Sequence, residues 1–113
     1  MKIVDFGSRG FEIRGFGSGG ATAVPLTLPD GDAHVVCIRL AAGGVLGRHP
    51  ASVDQVFAVV EGGGWVRGPD GERVPVSRGT AVFWSAGEEH ESGTDSGMTA
   101  IVVEAERLIP HLP

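Results

Sequence analysis

Clusters of Gly, Pro, Asp and Ser divide the chain into short apolar segments, and this spacing is its strongest structural constraint. Short segments between regularly spaced turn residues are typical of an antiparallel sandwich or barrel, since a parallel sheet would need helical crossovers. Only residues 104–109 could form a helix, which Pro110 would end. The predicted strands are residues 3–6, 11–16, 22–28, 34–40, 53–61, 65–67, 73–76, 80–84 and 98–104.

The amino-acid composition favours strands over helices. Val outnumbers Leu 15 to 6, and the β-branched residues Val, Ile and Thr total 25 of 113. Gly and Pro sum to 26, but the apolar fraction of 42% is too high for a chain that stays unfolded. The predicted fold class is therefore mainly β, in one globular domain spanning residues 1–113.

Charge and hydropathy exclude several classes of partner. The net charge is −5 without a basic cluster, which argues against nucleic-acid binding. Apolar runs such as residues 56–60 are far shorter than the roughly 20 residues of a membrane span. The first residues hold no apolar stretch of signal-peptide length, and Cys37, the single cysteine, cannot form an internal disulfide. We therefore expect a cytoplasmic protein without membrane or nucleic-acid partners, with Cys37 as a core residue.

Two of the four histidines stand where a barrel could bring them together. His49 precedes the predicted strand 53–61, and His90 follows the predicted strand 80–84. Gln55 lies six residues after His49, an even separation that keeps both side chains on one face of an extended chain, so Asp54 points outward. His34 and His111 are interpreted as structural. A Gly-rich stretch, residues 15–20, lacks a strand–loop–helix context and is interpreted as a mobile connection.

The segment from Gly43 through His49 and Gln55 to Gly62 resembles the first motif of the cupin superfamily, G-x5-H-x-H-x3-E-x6-G. The segment 79–94, which includes His90, is similar to the second motif, G-x5-P-x-G-x2-H-x3-N. The two motifs and their link cover nearly half of the chain. The resemblance implies an antiparallel β-sandwich or jelly-roll barrel, and it implies that the motif glycines mark turns.

Departures from the motifs weaken the metal site that the resemblance implies. Metal-binding cupins use three His and one Glu, whereas here Ala51 replaces the second His and Gln55 replaces the Glu. Ser85 and Thr94 replace scaffold residues of the second motif. An amide oxygen binds a divalent ion less strongly than a carboxylate because it adds no charge.

Two hypotheses for the site follow. In the first, His49, Gln55 and His90 hold a divalent Zn, Ni, Fe, Mn or Cu ion and leave positions for water or substrate. In the second, the pocket is free of metal and the same side chains hydrogen-bond a small polar ligand. The resemblance thus implies either a metal-dependent oxygenase or isomerase of a small molecule, or a ligand-binding or sensing module without turnover.

Strand parity with Gln55 extends the predicted pocket. Phe57 and Val59 should face the interior, and Arg39, like Arg48, could bind a carboxylate or phosphate group of a ligand. The opposite face of the same strand is also apolar, with Val56, Ala58 and Val60. Such a row needs cover from a second sheet or subunit, so a homodimer is expected.

Overall fold

The computed structural model describes residues 1–112, and all of its regular structure is β, which confirms the mainly β class. No helix within the described residues is long and apolar enough to cross a membrane. The eight strands are β1 (Phe11–Glu12), β2 (Gly19–Pro25), β3 (Ala33–Pro50), β4 (Asp54–Arg67), β5 (Arg73–Ser77), β6 (Ala81–Trp84), β7 (Glu89–Gly93) and β8 (Met98–Ala105).

The strands pair into one antiparallel sheet that closes on itself because β3 and β4 are long enough to join both halves. The first parts of β3 and β4 flank β8, with β2 and β1 beyond β3 and β6 beyond β4. We call this the large half. The last parts of β3 and β4 flank β7, with β5 beyond β4. We call this the small half, and the core lies between the two halves.

Register determines which side chains enter the core. Val36 and Ile38 of β3, Phe57 of β4 and Val102 of β8 are all buried in one cluster. They lie at alternate positions of paired strands, as the two-residue repeat of a strand requires. The register shifts between Leu46 and His49, so the end of β3 is irregular where it pairs with β7.

Motif glycines occupy turns that other residues would strain. Gly62 has a φ of 72°, and a Cβ built on it would lie 2.2 Å from the Gly97 carbonyl oxygen. Gly79 has a φ of 94°, a backbone conformation that costs little free energy only in glycine. These two residues let β4 pass β8 closely and let the chain turn into β6.

Several details of the predicted elements were wrong. Residues 3–6 form no strand, because no other strand pairs with them, and Ile3 is 88% exposed. Residues 65–67 continue β4 through a run of glycines instead of forming a separate strand. Glu89–Gly93, which none of the predicted strands included, is β7. No helix forms over 104–109, since Glu104 pairs within the sheet and the Leu108 amide donates to Asp54.

The outer face of the large half is apolar and only partly covered. Val56 and Ala58 are half-buried, whereas Val60 is 47% exposed and Phe83, which pairs with Val56, is 41% exposed. The described chain therefore leaves this row partly exposed.

The N-terminal segment covers a different part of that outer face. Phe6 accepts a hydrogen bond from the Arg39 guanidinium through its carbonyl oxygen (3.3 Å), and Gly10 lies against Val24. Cys37 pairs with Val24 in the register of β2 and β3 and is 2% exposed. The thiol is thus buried on the outer face and not in the space between the two halves.

Candidate functional site

A cavity of about 250 Å3 opens between the two halves of the sheet. Most of its lining is apolar, and four aromatic rings contribute to it. Its polar groups are few and lie on both halves. The apolar lining includes Phe11, Ile13, Phe16, Val36, Ile38, Leu46, Phe57, Trp84 and Val102, and the polar lining consists of His34, His49, Gln55, His90, Ser92 and Glu104.

His49 and His90 lie side by side in this cavity. They are direct partners in the pairing of β3 with β7, and their ring centroids are 4.3 Å apart. Such proximity follows from the pairing, because opposed residues of antiparallel strands project on the same face. The structure thus brings together the two histidines that the sequence singled out.

Both imidazoles are fixed through Nδ1. His49 Nδ1 lies 2.6 Å from the Gly47 carbonyl oxygen, and His90 Nδ1 lies 3.0 Å from that of Glu88. A carbonyl only accepts, so in each neutral ring Nδ1 carries the proton and Nε2 keeps its lone pair. His90 Nε2 is buried and has no hydrogen-bond partner. A buried nitrogen without a partner favours binding of a ligand, because leaving it unpaired costs free energy.

Aromatic rings enclose the two imidazoles. His90 stacks on Trp84 with 4.2 Å between centroids and 22° between planes, and Trp84 meets Phe57 edge-on at 5.7 Å. Burial lowers the pKa of His90; the bond to Glu88 opposes this shift, and the nearby His49 adds to it. His90 is therefore neutral at physiological pH, as a ligand or hydrogen-bond acceptor must be.

The Gly-rich stretch lies over His49. Phe16 stacks on the His49 ring at 4.8 Å and 20°, although its own ring is 62% exposed. A Cβ on Gly47 would lie 1.7 Å from the Phe16 carbonyl oxygen, and the Gly47 amide donates to Ser18 Oγ at 2.9 Å. Only glycine at position 47 allows this stretch to close over the imidazole.

The part of the cavity wall that the large half contributes carries a carboxylate. Gln55 Nε2 donates to Glu104 Oε1 at 2.7 Å, and the other Glu104 oxygen lies 3.7 Å from His34 Nδ1. Glu104 is the register partner of both Gln55 on β4 and His34 on β3. Three polar side chains on three adjacent strands therefore form one row across the large half.

The three remaining predicted pocket residues lie in three different places. Phe57 lines the cavity beside Gln55. Val59 faces inward, as its parity predicts, but is packed in the core away from the cavity. Arg39 does not line this cavity; it lies in a larger and more open surface cleft and donates to the Phe6 carbonyl. The reason is that Arg39 alternates with Ile38 and so takes the outer face of β3.

Sequence reasoning missed Glu104 and His34, which lie in the cavity lining although His34 had been interpreted as structural. Glu104 is at an even separation from Val102, a buried core residue of the same strand. The alternation of side chains along the predicted strand 98–104 could have placed the Glu104 side chain inside, on the same face as Val102. The position of β8 between β3 and β4 could not be read from local spacing.

The donor set is consistent with a divalent metal ion, although it is a sparse set. Within residues 1–112, no three His, Cys, Asp or Glu side chains are grouped so that they could hold a metal ion. The available donors are two imidazole nitrogens, one of them the orphaned His90 Nε2, and the Gln55 amide oxygen. Imidazoles whose second nitrogen donates to a carbonyl are the usual form of metal-ligating histidine.

Comparisons with known proteins agree on one family. The family model described as Cupin domain matches residues 36–105. No curated protein sequence is significantly similar to the chain. Among solved structures, the polyketide cyclase RemF from Streptomyces resistomycificus is similar with a TM-score of 0.81 and 25% identity, over 97% of this chain and 82% of that one.

Two further structures share the fold. A predicted oxalate decarboxylase from Thermotoga maritima has a TM-score of 0.80 and 18% identity, over 92% of this chain and 98% of that one. An RmlC-like cupin from Shewanella frigidimarina has a TM-score of 0.74 and 21% identity, over 95% and 93%. At these identities the likeness concerns the fold alone.

Proposed function

The chain belongs to the cupin domain family, and from this premise we propose that it binds a divalent metal ion through His49, His90 and Gln55. The same proposal places a small, flat and largely apolar molecule with an oxygen donor in the adjoining cavity. The observation that carries the proposal is the buried His90 Nε2, which has no hydrogen-bond partner. A metal ion would satisfy this nitrogen, whereas an empty site leaves it unpaired.

The cavity lining supports the class of ligand. Apolar and aromatic side chains make up most of the wall, and Phe57 and Trp84 offer ring faces or edges to a flat molecule. The polar groups sit in two small clusters, so one or two oxygen atoms on an otherwise apolar ligand match the site. A highly polar sugar or amino acid would lose more hydration than this wall could replace.

We propose an isomerisation or ring closure at a carbonyl group as the reaction. A metal ion held by neutral ligands supplies Lewis-acid chemistry by polarising an oxygen atom. In an isomerisation a proton moves between two positions of one molecule. In a ring closure a carbon of the same molecule would add to the carbonyl carbon, the C=O π bond would break, and the proton lost from the attacking carbon would pass to the carbonyl oxygen. Neither reaction consumes a second substrate. The similarity to a polyketide cyclase at 25% identity supports this reaction over oxygenation.

Elemental analysis tests the metal. The protein is purified without a chelating tag, and the metal content of wild type is compared with that of His49→Ala and His90→Ala. We expect about one ion per chain in wild type and its loss in both variants. His111→Ala is the matched control, since His111 is exposed and outside the cavity. Metal that is indifferent to both cavity substitutions would contradict the proposal.

Tryptophan fluorescence tests the ligand. Trp65→Phe leaves Trp84, which lines the cavity, as the only reporter. A naphthol with an acetyl group beside its hydroxyl should quench this signal saturably and more strongly with metal than without. Naphthalene, which lacks oxygen donors, is the matched probe. Equal binding of the two probes would contradict recognition of an oxygen donor.

One observation favours a second candidate, a metal-free binding module. The described residues contain no third His, Cys, Asp or Glu that could complete a metal site with the two histidines. In a metal-free module, the Nε2 atoms of His49 and His90 would accept hydrogen bonds from hydroxyl groups of a ligand. The naphthol would then bind equally well with and without metal, and a chelator would leave its affinity unchanged.

We also propose a homodimer through the outer face of the large half. Val60 and Phe83 are exposed on a face that Val56 and Ala58 continue as apolar. A second copy that presents the same face would bury this row around a two-fold axis. Light scattering at tens of micromolar should give a dimer mass, and Phe83→Glu should give a monomer. A monomer mass for wild type would contradict the dimer.

A further inference from the structure

We infer that Glu104 is a positioning residue that makes Gln55 an oxygen ligand for the metal ion. The inference rests on the proposed function. A glutamine amide has two faces of opposite character, since the carbonyl oxygen only accepts a hydrogen bond and the amino group only donates. Which face meets the metal ion decides whether Gln55 binds it or repels it.

The hydrogen bond between Gln55 and Glu104 settles the direction of the amide. Gln55 Nε2 lies 2.7 Å from Glu104 Oε1. An ionised carboxylate has no proton to donate, so the amino group of the amide must face it. The amide oxygen therefore points away from Glu104 and is free to bind elsewhere.

Glu104 has a polar neighbour on each side. It pairs with Gln55 on β4 and with His34 on β3, and His34 Nδ1 lies 3.7 Å from its second oxygen. The β8 backbone between those strands limits how far the carboxylate can move. A constrained anchor is what an orienting residue requires, because a mobile one would let the amide turn over.

Glu104 also supplies the charge that the donor set lacks. Two imidazoles and an amide are neutral, and a divalent ion is bound more weakly by neutral donors. Through the 2.7 Å hydrogen bond, the carboxylate polarises the amide and raises the negative charge on its oxygen. The negative charge thus lies one hydrogen bond away from the ion instead of in contact with it.

The first experiment measures cobalt(II) affinity by chelator competition and by the visible absorption of the bound ion. Wild type is compared with Glu104→Gln, which keeps the size of the side chain but can present either amide face to Gln55. We expect affinity to fall about 10- to 100-fold and the absorption bands to shift. Glu106→Gln is the matched control, because Glu106 is exposed just beyond β8, and its affinity should stay within about twofold of wild type.

An exchange of the two side chains separates positioning from a merely structural role. In the double variant Gln55→Glu with Glu104→Gln, the carboxylate meets the ion directly and the new amide can donate to it. We expect cobalt affinity to return to the wild-type level or above. A structural defect at position 104 would persist in the double variant and would also lower the metal-free melting temperature.

The outcomes distinguish this inference from the proposed function. If wild type binds no cobalt, the metal proposal fails and this inference fails with it. If wild type binds cobalt and Glu104→Gln binds it equally well, only the positioning role is overturned. If the single variant loses affinity and the exchange does not restore it, Glu104 acts through folding, and the inference is again overturned.

Discussion

The two polar walls of the cavity are built in different ways. On the small half, each imidazole donates to a carbonyl two residues earlier in the chain, Gly47 for His49 and Glu88 for His90. On the large half, Gln55 is held by Glu104, 49 positions away in sequence. The orientation of each imidazole is therefore set by local backbone geometry, although the pairing of β3 with β7 brings the two rings together. The orientation of Gln55, in contrast, depends on the pairing of distant strands.

The largest expected effect comes from Trp84, which joins the two walls. It belongs to β6 of the large half, is 4% exposed, and stacks on His90 of the small half. Trp84→Ala should lower the free energy of unfolding by about 3–5 kcal/mol in a denaturant titration. Trp65→Ala is the control, because Trp65 is half-buried and packs against Arg73 near the surface. Equal losses for both variants would show that Trp84 does not join the walls.

Gln55→Glu tests whether the carboxylate wall tolerates a second charge. The new carboxylate would replace a donor that lies 2.7 Å from Glu104, so two like charges would meet in a partly buried place. Without metal we expect a loss of about 1–3 kcal/mol near pH 8 and partial recovery towards pH 5, as one carboxylate takes up a proton. Added metal should raise the melting temperature, and a chelator should remove that gain. A melting curve unaffected by pH and metal would contradict this account.

Asp54 extends the comparison to the outer surface of the large half, next to Gln55 in β4. Its carboxylate accepts bonds from the amides of Leu108 and Ala86, and these bonds hold its pKa below the ordinary value. Because the folded pKa is lowered, the stability that Asp54 contributes is complete above its unfolded pKa, near 4, and is lost as pH falls through the folded value.

Asp54→Asn should therefore lower the melting temperature by a few degrees at pH 7, and this difference should shrink as wild type is acidified below pH 4. Melting curves from pH 7 down to pH 2 measure the effect. Asp70→Asn is a control for turn carboxylates, because Asp70 bonds a single amide, that of Glu72, at the exposed hairpin. A constant difference across the whole pH range would contradict the role of Asp54.

The smallest expected effect concerns Phe16, whose ring is stacked on His49 but mostly exposed. Phe16→Ala should change the free energy of unfolding by less than about 1 kcal/mol, since little apolar area is buried there. It should nevertheless shift the ring-proton NMR signals of His49, because the ring current of Phe16 is lost. Phe11→Ala, with a ring of similar exposure, should leave those signals in place.

The difference between the walls also explains what could be predicted from the sequence. His49 and His90 are found because each is fixed by neighbours in sequence and by the spacing of glycines that turn the chain. The mainly β class follows from β-branched composition and turn spacing in the same local way. Glu104 was missed because its role depends on β8 pairing with both β3 and β4. Arg39 was assigned to the pocket by its charge, although its alternation with Ile38 places it outside.

The rate at which Cys37 is labelled can report how often the structure around it opens locally. Its thiol is 2% exposed on the outer face of the large half, and burial raises its pKa while Arg39 partly opposes that shift. The N-terminal segment lies nearby, since Phe6 accepts a bond from Arg39 and Gly10 lies against Val24, the register partner of Cys37. A thiol reagent reacts only with an exposed thiol, so the labelling rate measures how often the structure around Cys37 opens. Arg39→Ala removes the hydrogen bond to the Phe6 carbonyl oxygen. This variant should be labelled faster at Cys37 without a change in the rate of global unfolding.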